Sequence, residues 1–274
     1  MTNGFILIDK AIGVSSAKAL YPIKKTLPRG CKIGHAGTLD PFASGLLIAA
    51  VGRATKAIEY VMMMDKVYAF TAKWGEATDT DDLTGKVINT TDKIPTYKEI
   101  EDILPEFHGK IQQIPPIYSA ISIGGRRSYD MARNGESVSL KPREVMVNSI
   151  KITEHKTTHT SFIMECSKGC YVRSIARDIA MKLGSYSNVT ELRRIKIGNF
   201  EVQDASERII PTIEIFNHYE KVYIDDETSQ NLMNGIRSNI NTNNLGRFLL
   251  INNRYNLLII AQNTNGEFKL KRIS

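Results

Sequence analysis

The stretch Gly34-His35-Ala36-Gly37-Thr38-Leu39-Asp40-Pro41-Phe42-Ala43-Ser44-Gly45-Leu46-Leu47 changes character along its length. Residues 34–45 hold three glycines, which permit backbone angles closed to other residues and let the chain approach a ligand closely. Asp40 stands before Pro41 and is pushed towards extended geometry, so its carboxylate projects from a constrained loop. From Leu46 the chain is apolar without interruption to Val51, which reads as a buried strand. A fixed loop feeding a buried strand is a good platform for one reactive side chain. Taken alone, the pattern fits a Gly-rich turn with a capping Asp better than a reactive site, because Asp is a habitual turn residue.

Working outward, 4–9 reads as a short buried strand. Ser15 and Ser16 then offer an N-cap to a helix carrying Ala17, Ala19, Leu20 and Ile23. Pro22 lies inside that pattern and requires a kink or stop near Leu20. After the strand at 46–51 the spacing predicts a helix over 54–64. A strand over 66–74 follows, alternating Val67, Ala69, Thr71 and Lys73 against Tyr68, Phe70, Ala72 and Trp74. The acids Asp79, Asp81 and Asp82 sit in a polar turn. Their spacing to Gly85 does not fit a calcium-binding EF-hand loop. A short helix is expected over 97–104 and two strands within 143–165. The clearest helix, 172–183, carries Val172, Ile175, Ile179 and Leu183 on one stripe, with Gly184 as its stop. Residues 189–202 read as strand-rich. From Asp225 to Ser274 there are 11 Asn in 50 residues, with short apolar runs at strand-like spacing. The expected fold class is α+β: a mixed, mainly antiparallel sheet with flanking helices over 1–215, then a small β-rich unit over 221–274.

The longest apolar run, 46–51, is far short of the ~20 residues a spanning helix needs, and no signal peptide is visible. Three cysteines are too few for a disulfide framework. These features point to a cytoplasmic protein, with a monomer as the default. The formal net charge is +7, and residues 141–198 hold 11 basic against 5 acidic side chains. Concentrated positive charge suits a polyanionic partner, though a solvated basic face gives the same count.

Several chemistries fail on spacing. There is no phosphate-binding Gly-x-x-x-x-Gly-Lys-Ser/Thr loop, no Gly-x-Ser-x-Gly elbow and no Gly-x-Gly-x-x-Gly after a strand. Cys166 and Cys170 lie four apart with no His or Cys pair at zinc spacing nearby, so no metal site is expected.

The segment 34–47 resembles the signature of the bacterial TruB-type tRNA pseudouridine synthases. The resemblance runs in order through about 4–210. It takes in Ile8-Asp-Lys10, Gly52-Arg-Ala-Thr-Lys56, Lys66-Val-Tyr68, Thr78-Asp-Thr-Asp81, Gln113-Ile-Pro-Pro-Ile-Tyr-Ser-Ala120, Cys166-Ser-Lys-Gly-Cys-Tyr-Val-Arg173 and Leu192-Arg-Arg194. The tail from about 225 is similar in position and pattern to that family's small RNA-binding PUA domain. Where the family carries Lys-Pro after the first strand, this chain has Lys10-Ala11.

The resemblance implies a cofactor-free isomerase that converts uridine 55 in the T loop of tRNA to pseudouridine. The base is detached, rotated and rejoined through C5. Asp40 falls on the catalytic aspartate, whose ionised carboxylate attacks base or ribose, or stabilises charge as the glycosidic bond breaks. Arg173 matches the arginine that pairs with it and keeps it ionised. Tyr68 matches the tyrosine that stacks on the flipped base. Tyr171 is expected to line the same pocket, and His35 matches a histidine that fills the space the base vacates. Lys10 is expected near the substrate and Leu192 in an apolar wall. Base flipping out of a folded tRNA requires a basic grip. Lys168, Lys182, Arg193, Arg194 and Lys196 are expected to supply it, together with Arg126 and Arg127 in a loop that orders on RNA. A tRNA-binding or tRNA-folding protein with little catalysis is the alternative from another class. A hydrolase built on Asp79–Asp82 leaves the basic stretch unexplained.

Overall fold

The computed structural model describes residues 3–236, 238, 240, 242, 245–264 and 267–273. Strand β1 (Gly4–Lys10) leads into α1 (Ser16–Ala19) and α2 (Tyr21–Thr26). Ser15 caps α1 by accepting from the Lys18 amide. The helix breaks at Leu20, because Pro22 in the first turn of α2 has no amide to continue the ladder. Then come β2 (Ile33–His35), β3 (Ser44–Val51), a 3₁₀ segment (Gly52–Ala57), α3 (Ile58–Met63) and β4 (Lys66–Trp74). The helix expected over 54–64 is thus α-helical only in its second half. Gly52 adopts a left-handed φ of 64°, and the Thr55 hydroxyl donates to its carbonyl at 2.7 Å, tightening the first turns.

A hairpin of β5 (Glu76–Thr78) and β6 (Val87–Thr90) precedes α4 (Tyr97–Ile103), which a Thr96–Glu99 capping box starts. Next are β7 (Gly109–Gln113), the small pair β8 (Ser122–Ile123) and β9 (Arg126–Arg127), and α5 (Ser128–Arg133). The long hairpin β10 (Arg143–Lys156) and β11 (His159–Cys166), α6 (Val172–Lys182) and β12 (Ser187–Ile197) follow. Then β13 (Phe200–Glu201), β14 (Ser206–Ile210) and α7 (Thr212–Ile215) lead to the C-terminal elements. Those are β15 (Glu220–Tyr223), α8 (Asp226–Met233), β16 (Gly246–Asn252), β17 (Leu257–Thr264) and β18 (Glu267–Arg272).

Ten strands form one sheet in the order β14-β1-β3-β12-β4-β11-β10-β7, with β2 added beside β3 and β13 beside β12. All its pairings are antiparallel except β3 with β12, which run parallel over the short register Arg193–Ser44 and Arg194–Gly45. The fold is therefore the α+β arrangement with a mainly antiparallel sheet. The continuous apolar run of β3 has a physical reason: both its faces are covered. Leu46, Ile48 and Ala50 enter one cluster, while Leu47, Ala49 and Val51 enter another.

Against a third cluster, α6 lays Val172, Ile175, Ala176, Ile179 and Ala180 on Phe70, Ala72, Trp74 and Phe162 of the central strands. The C-terminal sheet, β15-β16-β17-β18, turns Leu249, Ile251, Leu258 and Ile260 onto the same cluster as Phe5, Leu7, Leu46 and Ile48. The two sheets thus share a core instead of meeting through a linker. Among the described residues no helix is long and apolar enough to cross a membrane.

Candidate active site

Residues 36–45 cross from β2 to β3 as a loop fastened from three sides. Leu39, Phe42 and Ala43 are buried in the α6-side cluster and Ala36 in the opposite one. Ser16, at the start of α1, reads both polar groups of Leu39: its hydroxyl donates to the carbonyl at 2.9 Å and accepts from the amide at 2.8 Å. The Gly13 amide donates to Pro41 O at 2.7 Å. Lys10, 1% exposed at the end of β1, donates through Nζ to Ala43 O (2.6 Å) and Val14 O (2.7 Å), with Ala11 O and Pro41 O at 3.0 and 3.4 Å. Sequence reasoning expected Lys10 near the substrate. Its ammonium is instead spent on the chain's own carbonyls, which places it under the loop as a fastener. Burial, followed by the charge of Arg194, lowers its pKa, and Asp40 opposes them.

Arg194 corrects a second expectation. It lies in β12 at 1% exposure and is not on a surface that RNA can touch. Nε donates to Leu46 O at 2.7 Å and Nη2 to Gly37 O at 3.1 Å, while Nη1 reaches Thr38 O at 3.5 Å. An Arg-Arg pair on a strand must point to opposite faces, so only one of Arg193 and Arg194 can face solvent.

From this loop Asp40 presents a carboxylate that is 32% exposed, with Oδ2 3.0 Å from Nη2 of the nearly buried Arg173. Arg173 sits in the first turn of α6, where the helix dipole disfavours a cation. Two carboxylates and two carbonyls answer that cost. Besides Asp40 it meets Asp82 Oδ2 at 3.4 Å, and it donates to Thr80 O (2.8 Å) and Tyr118 O (3.0 Å).

One helical turn on, Arg177 pairs with Asp81 at 2.9 Å. The polar turn 78–85 is therefore the wall that holds the arginines. Asp82, 4% exposed, also ties its own loop by accepting from the Thr84 amide and from the Thr80 and Thr84 hydroxyls. Sequence reasoning left Asp81 and Asp82 without a role. The available signal was the match of adjacent acids to the i, i+4 pair Arg173 and Arg177. Gln113, fully buried, was missed as well. It brackets the start of α6 by accepting from the Tyr171 amide (2.8 Å) and donating to its carbonyl (3.0 Å).

Burial pushes the Asp40 carboxyl above its ordinary value and Asp82 adds to this. Arg173 and, more weakly, Lys10 pull it back. Tyr68, on β4, packs beside Leu192 against the α6-side cluster. Burial drives its phenol up to about 12, so it is uncharged near neutrality. Tyr171 lies under the guanidinium of Arg143, 4.7 Å from the ring centre. His35, on β2, has a buried Nδ1 with no hydrogen-bond partner among the described residues. Burial and the charge of Arg194 lower its pKa, keeping the ring neutral.

The structure thus brings Asp40, Arg173 and Asp82 together directly, with Lys10 and Arg194 as supports. Of the other expected RNA-binding side chains, Arg126, Arg127 and Lys168 are exposed. Arg126 pairs with Glu136 and Lys168 reaches the Met63 sulfur. Arg193 pairs with Asp9 at 2.7 Å, Lys196 with Glu201 at 3.6 Å, and Lys182 with Glu106. A separate group stands free: Lys18, Lys24, Lys25, Arg29, Lys32, Arg53 and Lys56 are exposed, and none forms an ion pair among the described residues.

A carboxylate on a fastened glycine-rich loop, paired to a helix arginine over a mainly antiparallel sheet, defines a class. Residues 24–172, more than half the chain, match the TruB family of pseudouridylate synthases in its N-terminal domain. The chain belongs to that family. It is 45% identical over 202 residues to tRNA pseudouridine synthase B of Mesorhizobium japonicum, covering 74% of this chain and 62% of that one. The namesake from Bartonella henselae is 48% identical over 199 residues, covering 72% and 62%. The chain thus spans less than two thirds of the length of the curated relatives it matches. Among solved structures, one of a Cbf5-Nop10-Gar1 complex shares the fold with a TM-score of 0.71 at 21% identity, covering 99% of this chain and 85% of that one. Another, an H/ACA RNP bound to a substrate RNA containing 2′-deoxyuridine, gives 0.67 at 20% identity, covering 98% and 83%.

Proposed function

We propose that this chain is a cofactor-free tRNA pseudouridine synthase acting on uridine 55 of the T loop, and that Asp40 is its catalytic carboxylate. The observation that carries the reading is the Asp40 carboxylate itself. It is partly open to solvent, held 3.0 Å from a nearly buried arginine, and fixed on a loop whose own polar groups are tied. The reaction balances without a redox partner. The N1–C1′ bond of the nucleotide breaks, C1′ rejoins at C5, a proton leaves C5 and N1 gains one. Asp40 supplies the anionic group, and Arg173 holds its rotamer and favours its ionised form.

Tyr68 and Leu192 offer the aromatic and apolar surfaces a base needs once it has left its stack. Tyr171 lines the same pocket, and neutral His35 fills the place the base leaves. The exposed cations, Arg126, Arg127, Lys168, Arg193 and Lys196 with the unpaired group at 18–56, grip the phosphates. Lys182, on the far end of α6, contributes at the margin. We read 1–215 as the catalytic part and 221–274 as a PUA-like RNA-binding part of a cytoplasmic monomer.

The test is to incubate the protein with an unmodified tRNA transcript and map pseudouridine by carbodiimide primer-extension stops, beside Asp40→Asn. One new stop in the T loop, absent with the variant while tRNA binding persists, is expected. Tight binding with no stop would make the chain an RNA-binding protein only, and stops elsewhere would overturn the assigned uridine.

A further inference from the structure

Resting on the activity proposed above, we infer that Arg194 is a positioning residue for the isomerisation. It sets the spacing between the Asp40 carboxylate and the Tyr68 ring from beneath the pocket. The three carbonyls it meets bracket the catalytic carboxylate. Gly37 and Thr38 precede Asp40 and Leu46 follows it, so one planar group fixes both ends of the loop whose middle Lys10 fastens. Its backbone is a junction as well. In register Arg194 faces Gly45, the residue just before Leu46, on one side and Tyr68 on the other. Strand β3 approaches so closely there that a Cβ on Gly45 would lie 2.3 Å from Arg194 O. The Tyr68 phenol lies beside the same guanidinium. A shift of Arg194 therefore moves the catalytic carboxylate and the stacking face relative to one another.

Its charge supports the same reading. Arg194 has no carboxylate partner among the described residues, yet it is 1% exposed. Burying a guanidinium costs several kcal/mol unless something compensates. Tying carbonyls alone is work that a neutral amide does at lower cost. The unneutralised charge reaches His35, Lys10 and Tyr68, all on the border of the Asp40 loop. A fixed positive potential at that place favours the negative charge of a detached uracil.

The test compares wild type with Arg194→Lys and Arg194→Ala. It reads single-turnover pseudouridine formation at saturating tRNA, the tRNA Kd, and the melting temperature. Because a misplacement of about 1 Å costs on the order of 100-fold in rate, Arg194→Ala is expected to lose about that factor, with Kd within about twofold of wild type. Arg194→Lys, which keeps charge but loses the fork, is expected between the two. Millimolar ethylguanidinium is expected to restore rate to Arg194→Ala but not to Asp40→Asn. Should Arg194→Ala fail to fold, Arg194→Lys alone decides through its rate at saturating tRNA. A raised Kd with unchanged saturating rate would return Arg194 to RNA binding and overturn the inference. A lowered melting temperature with unchanged rate per folded molecule would reduce it to scaffolding and overturn it equally. An inactive wild type would overturn the proposed activity, and the inference with it.

Discussion

Asp40 carries two opposing demands. Burial raises its pKa while the proposed chemistry needs it ionised, and Arg173 is the largest group pulling the other way. The acid limb of the pH–rate profile is therefore expected above the ordinary carboxylate value of about 4. Removing the cation with Arg173→Gln should move that limb to still higher pH. Single-turnover rates across the acid range check this, and an unmoved or lowered limb would contradict it. The sign for stability is the reverse. A carboxyl whose folded pKa lies above its unfolded value contributes stability at acid pH, and that contribution is lost as pH rises through the folded pKa. At neutral pH the ionised group opposes folding. Asp40→Asn is thus expected to melt higher than wild type while making no product, with the difference shrinking as pH falls. Differential scanning calorimetry at several pH values measures it. The pairing of Asp40 with Arg173 was legible in the sequence because each sits in a specific local motif. Lys10 and Arg194 were legible as positions but not as roles, since a lysine or arginine code does not say whether its head meets water or the chain's own carbonyls.

Elements announced themselves wherever burial is periodic in the local chain. The two-sided strand β3, the single-stripe helix α6 and the hairpin β10–β11 all follow from such patterns, and Pro22 marked the break between α1 and α2. The 3₁₀ start at Gly52–Ala57 did not, because a left-handed glycine and one hydroxyl bond decide it. The turn at 78–85 stayed unread for a different reason. Its partners Arg173 and Arg177 lie some ninety residues away and only the sheet brings them near. The junction of β3 with β12 belongs to this class too, and it gives a prediction. Gly45 has a φ of +105°, and a side chain there meets the Arg194 backbone. Gly45→Ala is expected to cost at least about 1–3 kcal/mol from backbone strain alone. It should also slow the reaction, because the parallel register that closes the Asp40 loop must open. Urea unfolding beside the pseudouridine assay tests both. Full rate with full stability would show that the close approach is relieved elsewhere.

Charge over the whole molecule is arranged differently from its arrangement along the chain. The excess counted at 141–198 is largely answered in space: Arg173, Arg177, Lys182, Arg193 and Lys196 each meet a carboxylate, and Arg194 is buried. Exposed pairs open at little cost, so the exposed ones among these cations can still turn to phosphate. Their carboxylate partners nevertheless repel the same phosphates. A concentration of unanswered charge lies at 18–56, where seven exposed cations accompany a single acid, Asp40 itself. Lys24 and Lys32 border a groove of about 430 Å³ that Cys31, Ile33, Gly34, Thr55 and Ile58 also line. A polyanion is therefore attracted to this face. Reversing both charges with Lys24→Glu and Lys32→Glu should weaken tRNA binding at low salt. It should also reduce the slope of log K against log salt by about one for each phosphate that is no longer neutralised. The single-turnover rate at saturating tRNA should stay unchanged, because neither side chain touches the Asp40 loop. Filter binding across a salt series, run beside the rate, separates the outcomes. An unchanged slope would place the RNA path over the paired cations of β12 and α6 instead, whereas a slowed saturating rate would mean that this face also shapes the pocket.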